Sequence, residues 1–313
     1  MKPLHYSRSS LGICVAVAAI SGCGGSQPPS TVSALPTALR TRPAVGNGDL
    51  LYASAFGSER VYVYSYPKGK LLYSLHVSEP SGLCVDQANN VWVTGVLKMI
   101  EYAHGGKKPI ATLTNDGYGY SCSVDPTTGD LAVADAFSIS NKRGFVAIYP
   151  QAQGTPTLYQ IPTIAHPSSC GYDDQGNLFV DGNGEGKFKL AELPKGGSAF
   201  TKIDVKQSIG AGNIQWDGSY LAIGDANSGD SIYQFAIRGH RGTVKSSTQL
   251  SVSTGGSVTQ FWVYDGTVVA GIQLPGSQGL GVVGFWNYPA GGSSTKTITG
   301  LVNPFGVAIS LAK

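Results

Sequence analysis

Pro80-Ser-Gly-Leu-Cys-Val-Asp86, Gln-Ala-Asn-Asn, Val91-Trp-Val-Thr94: these fifteen residues hold two short apolar runs on either side of a turn-forming tetrad. The runs are rich in β-branched and aromatic residues and too short for helices, so they read as two strands. Asp and Asn between them reverse a chain by bonding their side chains to nearby backbone and by tolerating φ > 0. The stretch is a hairpin whose first strand ends in Asp.

Working outward, the second run recurs as Leu51-Tyr-Ala-Ser, Leu131-Ala-Val-Ala, Leu178-Phe-Val-Asp, Leu221-Ala-Ile-Gly and Val268-Val-Ala-Gly, giving anchors spaced 40, 40, 47, 43 and 47 residues apart. The first run recurs as Cys122-Ser-Val-Asp125, Cys170-Gly-Tyr-Asp173, Ile214-Gln-Trp-Asp217 and Phe261-Trp-Val-Tyr-Asp265. A third run follows each, as in Val61-Tyr-Val-Tyr and Val146-Ala-Ile-Tyr, and closes on turns such as Tyr66-Pro-Lys-Gly and Tyr288-Pro-Ala-Gly-Gly. With a fourth run, each repeat is a four-stranded antiparallel sheet of about 44 residues, the size of a propeller blade. The first repeat lacks its opening run, and Pro304-Phe-Gly-Val-Ala-Ile-Ser310 at the other end of the chain has that character. The expectation is an all-β, six-bladed β-propeller over residues 49–313, its first blade closed by the C-terminal strand. Composition agrees: charged residues are 13% of the chain and Gly numbers 43, a balance suited to turn-rich β structure.

The pattern resembles NHL-type and SMP-30/gluconolactonase-type six-bladed propellers, whose blades read Pro-x-Gly-x-x-x-Asp, then Gly-Asn-Leu-Tyr-Val-Ala-Asp, then Ile-x-x-Tyr. Pro80–Asp86 and Asp174-Gln-Gly-Asn-Leu-Phe-Val180 match best. The resemblance implies the fold; the scaffold hosts binders and hydrolases alike. Its lactonase branch holds a divalent metal through Glu, Asn and Asp just before the inner strands. Here those places hold Ser81, Tyr120 or Ser121, Ser168, Gly212 or Asn213, Val258 or Thr259, and Phe305, leaving Asn213 as the one residue with ligand chemistry. A hard cation with six or more oxygen ligands usually needs carboxylates, so no such metal is expected.

At the N-terminus, Lys2 and Arg8 precede an apolar run from Leu11 to Ile20 and the small residues Ser21-Gly22-Cys23. This is the layout of a secretory signal peptide. Ten helical residues rise about 15 Å, half a bilayer core, too little for a stable span. Ile20-Ser21-Gly22-Cys23 resembles a bacterial lipobox, which implies removal of residues 1–22, a lipid on Cys23, and, with Gly24 following, sorting to the outer membrane. Residues 23–48, rich in Gly, Ser, Thr and Pro, read as a tether. Taking Lys2 and Arg8 from the 22 basic residues leaves 20 against 19 acidic ones. Nucleic acid is therefore not an expected partner, because phosphate binding needs a clustered basic surface.

Three other thiols, Cys84, Cys122 and Cys170, lie on first runs. Export permits a disulfide, and the equivalent places of Cys122 and Cys170 in adjacent repeats suggest that pair; free buried thiols are the alternative. Asp181-Gly-Asn183-Gly-Glu185-Gly186, followed by Glu192, fits a calcium-loop pattern except for Glu in the fifth place, but it joins two strands without flanking helices. A Gly-rich hairpin is the competing reading. No cofactor is expected. Neutral aromatic, amide and imidazole residues gather before the inner strands at one channel mouth: Tyr118, Tyr120, His166, Asn213 and Gln260. They make a non-enzymatic, monomeric binding module for a protein, peptide or glycan the leading expectation. A lactonase-like hydrolase with a rearranged metal site and a structural subunit of an envelope complex are its rivals.

Overall fold

A computed structural model describes residues 48–313 apart from position 141 and residues 253–255 and 277–278. The signal peptide, Cys23 and the tether up to residue 47 lie outside the described residues.

The described chain is all-β, with two single-turn 3-10 segments at Phe56–Ser58 and Pro150–Ala152. In chain order come β1 (Leu50–Ala55), β2 (Arg60–Ser65), β3 (Leu71–His76), β4 (Leu83–Val85), β5 (Val91–Thr94) and β6 (Val96–Tyr102). There follow β7 (Pro109–Val124), β8 (Leu131–Ser138), β9 (Phe145–Tyr149), β10 (Thr157–Tyr159), β11 (His166–Tyr172) and β12 (Leu178–Gly184). Next are β13 (Lys187–Leu193), β14 (Thr201–Val205), β15 (Ile214–Trp216), β16 (Leu221–Asp225), β17 (Ser231–Arg238) and β18 (Arg241–Ser251). The chain ends with β19 (Ser257–Tyr264), β20 (Thr267–Gln273), β21 (Leu280–Asn287), β22 (Gly292–Ser293), β23 (Lys296–Val302) and β24 (Pro304–Ser310).

Two four-stranded sheets have the orders β24-β1-β2-β3 and β19-β20-β21-β23. A seven-stranded sheet runs from β4 to β10, and a nine-stranded one joins β11–β14 to β15–β18 with β22 at its side. The larger sheets arise where one hairpin set meets the next. The first half of the 16-residue β7 pairs with β6 and its second half with β8. The sequence places a break there, between a fourth run and the following first run. The backbone bends instead of breaking, through register shifts at Gly117 and Gly119, and a Cβ on Gly117 would come within 2.6 Å of Asp135 Oδ1. In the nine-stranded sheet a short parallel contact, Asp204 opposite Arg241 and Val205 opposite Gly242, links β14 to β18.

At four of the first runs the terminal Asp makes the turn. The Asp86, Asp125, Asp173 and Asp217 carboxylates accept backbone N–H bonds from Asn90, Thr127, Gln175 and Ser219 at 2.7–3.0 Å. Second runs read as unbroken apolar stretches because both faces of each strand are covered. In β1, Leu50 and Tyr52 pack toward Leu83 and Val93, while Leu51 and Ala53 pack toward Val269 and Phe285. Each fully buried side chain of this kind contributes roughly 1.5–3 kcal/mol. The first strand of each set also touches that of the next: β4 lies against β7, β7 against β11, β11 against β15, and β19 against β24, which returns to β4. The C-terminal β24 pairs with β1, Leu50 opposite Ser310 and Ala53 opposite Val307.

The disulfide joins Cys84 to Cys122, with Cα atoms 5.6 Å apart, and Cys170 is free and buried. This corrects the pairing of Cys122 with Cys170. Cys122 stands opposite Val133 and Cys170 opposite Val180, each the third residue of its second strand. Equivalent places put both thiols on the same face of their sheets, pointing the same way around the molecule, so they cannot meet. Cys84, opposite Trp92, is offset by one residue. An offset of one turns the side chain to the other face, so Cys84 points forward to meet Cys122 pointing back. The Cys170 sulfur lies instead among Ala132, Ala134 and Val146.

Candidate functional site

Side chains from one inner strand are spent on the backbone of the next. Gln260 on β19 is buried; its Oε1 accepts from Leu83 N at 3.0 Å and Val307 N at 3.2 Å, and its Nε2 donates to Leu83 O at 2.8 Å. Asn213, buried just before β15, accepts from Phe261 N at 3.2 Å and donates to Ser169 Oγ at 3.4 Å. Ser169 Oγ in turn takes Ile214 N at 3.0 Å and shares a hydrogen bond with Ser121 Oγ at 3.1 Å. Gln215 closes a two-bond clamp on Val263, and Thr259 Oγ1 donates to Phe305 O at 2.6 Å. Neutral polar side chains in these places stitch neighbouring strands together.

Around this belt lie three cavities. One of about 280 Å³ opens where the inner strands end, against Tyr172, Asp173, Trp216 and Trp262. One of about 220 Å³ opens at the opposite end, against Tyr120, Ser168, Gly212, Thr259 and Phe305. Asn213 and Gln260 border both, so they form the partition between two mouths. Beside the second mouth lies the largest of these three, about 400 Å³, walled by Phe56, Glu79, Tyr118, Tyr120, Asn303 and Phe305. The two neighbouring cavities share Tyr120 and Phe305, whose rings meet edge to face at 5.6 Å.

Exposed large apolar side chains concentrate at this end. Phe56, Leu97, Tyr118, Tyr120, Phe137, Ile139 and Leu280 are each 37–50% exposed. They sit where β1 leads to β2, β5 to β6, β8 to β9 and β20 to β21, or at the opening of an inner strand on β7. Leu71, Leu72 and Leu158, the other exposed large hydrophobics described, lie on the outer strands β3 and β10. Three residues at the large cavity hold left-handed backbone: Glu79 (φ 50°), Leu97 (φ 62°, beside lining residue Val96) and Asn303 (φ 48°). For a bulky residue such as leucine this conformation costs roughly 1–2 kcal/mol, and such strain gathers where a site dictates backbone shape.

The structure brings Tyr118, Tyr120, Asn213 and Gln260 to these adjoining cavities, the last two as strand staples. His166 does not join them: it stands off to the side against Phe137, ring centroids 4.7 Å apart, with Nδ1 3.1 Å from Ala136 O. Sequence reasoning missed Glu79 and Phe56, which lie in connections outside the repeating pattern. The signal for Glu79 was an acid immediately preceding Pro80 and an inner strand.

The calcium-like string is taken apart by its hairpin, which corrects that alternative. Along β12 and β13, Leu190 stands opposite Asp181, Phe188 opposite Asn183 and Phe179 opposite Glu192. Glu185 is exposed in the turn at φ 52°. Among the described residues no three His, Cys, Asp or Glu side chains converge as a metal site. Asp181 is fully buried, accepts Gly212 N through Oδ2, and leaves Oδ1 unpartnered. Burial raises its carboxyl well above the ordinary range. Asp135 is alike: buried, Oδ1 taking Asn115 Nδ2 at 2.6 Å and Oδ2 unpartnered. Burial pushes its pKa up to about 8.

No protein-family model matches the chain, and no curated protein does. Solved structures do. A nidogen/laminin complex contains a chain similar over 85% of this one and 100% of itself, at TM-score 0.65 and 12% identity. The β-propeller domain of Myceliophteria thermophila Cps50 (Swd1) is similar over 80% and 86%, at TM-score 0.52 and 11% identity. The fold is that of a β-propeller. A Bacteroides caccae protein of unknown function is similar at TM-score 0.61 and 8% identity, over 84% of this chain and 99% of its own. Identities this low speak for the propeller alone.

Proposed function

We propose that this propeller is a binding module of six four-stranded blades that takes its partner on the face bearing Tyr118, Tyr120 and Phe56. The blade count rests on dividing β7 between two blades and parting the nine-stranded sheet at its β14–β18 contact, giving repeats of the NHL-like kind. The observation that carries the function is the one-sidedness of the exposed apolar side chains. Phe56, Tyr118 and Tyr120 line two adjoining cavities on that face, with Leu97, Phe137, Ile139 and Leu280 at the same end of the strands, and large exposed apolar patches mark interaction sites. That one similar structure is a nidogen/laminin complex fits use of the fold in protein binding.

A lipid on Cys23 would hold the module to the cell envelope. The described chain enters at the opposite end from the apolar face: Leu50 pairs with Ser310 where the inner strands finish. The metal-hydrolase reading is weaker because Asn213, the one ligand candidate before the inner strands, already spends its amide on Phe261 and Ser169.

Photo-crosslinking residues placed at Tyr118 and at Leu158, on the outer strand β10, test the assignment in intact envelopes. Discrete adducts from position 118 and none from 158 are expected. Equal labelling, or none at either place, would overturn it. Cys23→Ser should move the protein from membrane to soluble fraction.

A further inference from the structure

Resting on that reading of the face, we infer that the large cavity beside the channel mouth is built to take a basic side chain, arginine or lysine, presented by a peptide segment of a partner protein. The cavity wall is aromatic, with Phe56, Tyr118, Tyr120 and Phe305 around it. One charge lines it: Glu79, exposed and without an ion-pair partner among the described residues. The faces of aromatic rings attract cations, and a carboxylate at the rim supplies a charge-assisted hydrogen bond to a guanidinium or ammonium. A neutral or acidic group would forgo both.

Two features favour a peptide over a small free cation. The volume, about 400 Å³, is more than a single ammonium group fills. The apolar surface also continues past the cavity at Leu97, next to lining residue Val96, and at Leu280, whose neighbour Gly279 approaches the Asn303 side chain. A chain lying across the cavity covers both leucines while one basic side chain enters. Glu79 and Leu97 both hold left-handed backbone at this surface.

Titration of the residue 48–313 domain, or the full chain, with blocked peptides Leu-Gly-Arg-Gly-Leu, Leu-Gly-Lys-Gly-Leu and Leu-Gly-Gln-Gly-Leu, followed by tyrosine fluorescence or NMR shifts, tests this. The basic peptides should bind at least about tenfold more tightly than the glutamine peptide. Added salt should narrow the gap, and Glu79→Gln should erase it without lowering the melting temperature. Tyr118→Ala should weaken all three peptides. Equal binding of basic and glutamine peptides, an unchanged preference in Glu79→Gln, or no binding by any of them would overturn the inference. Guanidinium chloride at low concentration competing as well as the arginine peptide would overturn its peptide part. If crosslinks at position 118 persist in the Glu79→Gln protein, the binding-face reading stands even where the cation preference fails.

Discussion

At the scale of single residues, the side chains nearest the channel divide into those that hold strands together and those that are left over. Gln260 belongs to the first kind. Gln260→Ala leaves Leu83 N, Leu83 O and Val307 N without the amide that bonds them, and an unsatisfied buried backbone group costs about 1–3 kcal/mol. Allowing for relaxation, a loss of about 2–4 kcal/mol is expected, read by urea unfolding as a lower midpoint with an unchanged slope. Asp135 belongs to the second kind. Its folded-state pKa, about 8, lies above its unfolded value, so the folded form holds the proton longer. Its contribution to stability is fully present below about pH 4 and is lost as pH rises toward 8. Asp135→Asn keeps the Oδ1 acceptor for Asn115 and removes that loss. The melting temperature of the variant relative to the parent should therefore climb between these two pH values; a constant difference would contradict the assignment. Neither role was visible in the sequence, where Gln260 looks like a free polar residue and Asp135 like any strand-ending Asp. Both follow from register, which decides whether a side chain meets backbone, solvent or core.

At the scale of strands and hairpins, the sequence was far more legible. Every second run it names coincides with a strand: β1, β5, β8, β12, β16 and β20. Those stretches are apolar on both faces because sheets cover both, and their Asp-led turns carry their own local chemistry. What escaped was the joining of neighbouring sets, in the unbroken β7 and the β14–β18 contact, since glycine-borne bends leave no gap in the apolar pattern. The disulfide was misplaced for a related reason: alignment reports equivalence, whereas pairing needs side chains that face one another. Non-reduced peptide mapping should find Cys84 linked to Cys122, with Cys170 alkylated only after unfolding. Closing a loop whose ends are 38 positions apart is worth about 4 kcal/mol in the chain-entropy account. Cys84→Ser should therefore lower stability markedly, and Cys170→Ser should not alter the linkage.

At the scale of the whole molecule, the propeller architecture was readable from spacing, while the face proposed for binding was not. Tyr118 and Tyr120 could be placed near a mouth because they precede an inner strand. Phe56, Glu79 and Asn303 come from separate connections, and only the folded chain sets them around one cavity. The pairing of β24 with β1 carries one more consequence. Ala312 N donates to Asp49 Oδ1 at 2.8 Å, so the two ends of the described domain touch. A circular permutant that links Lys313 to Gly48 by a short glycine bridge and opens the chain at the exposed turn of Gly218 and Ser219 should fold and keep the Cys84–Cys122 bond. Its melting curve should stay cooperative, because a closed ring has no privileged starting blade.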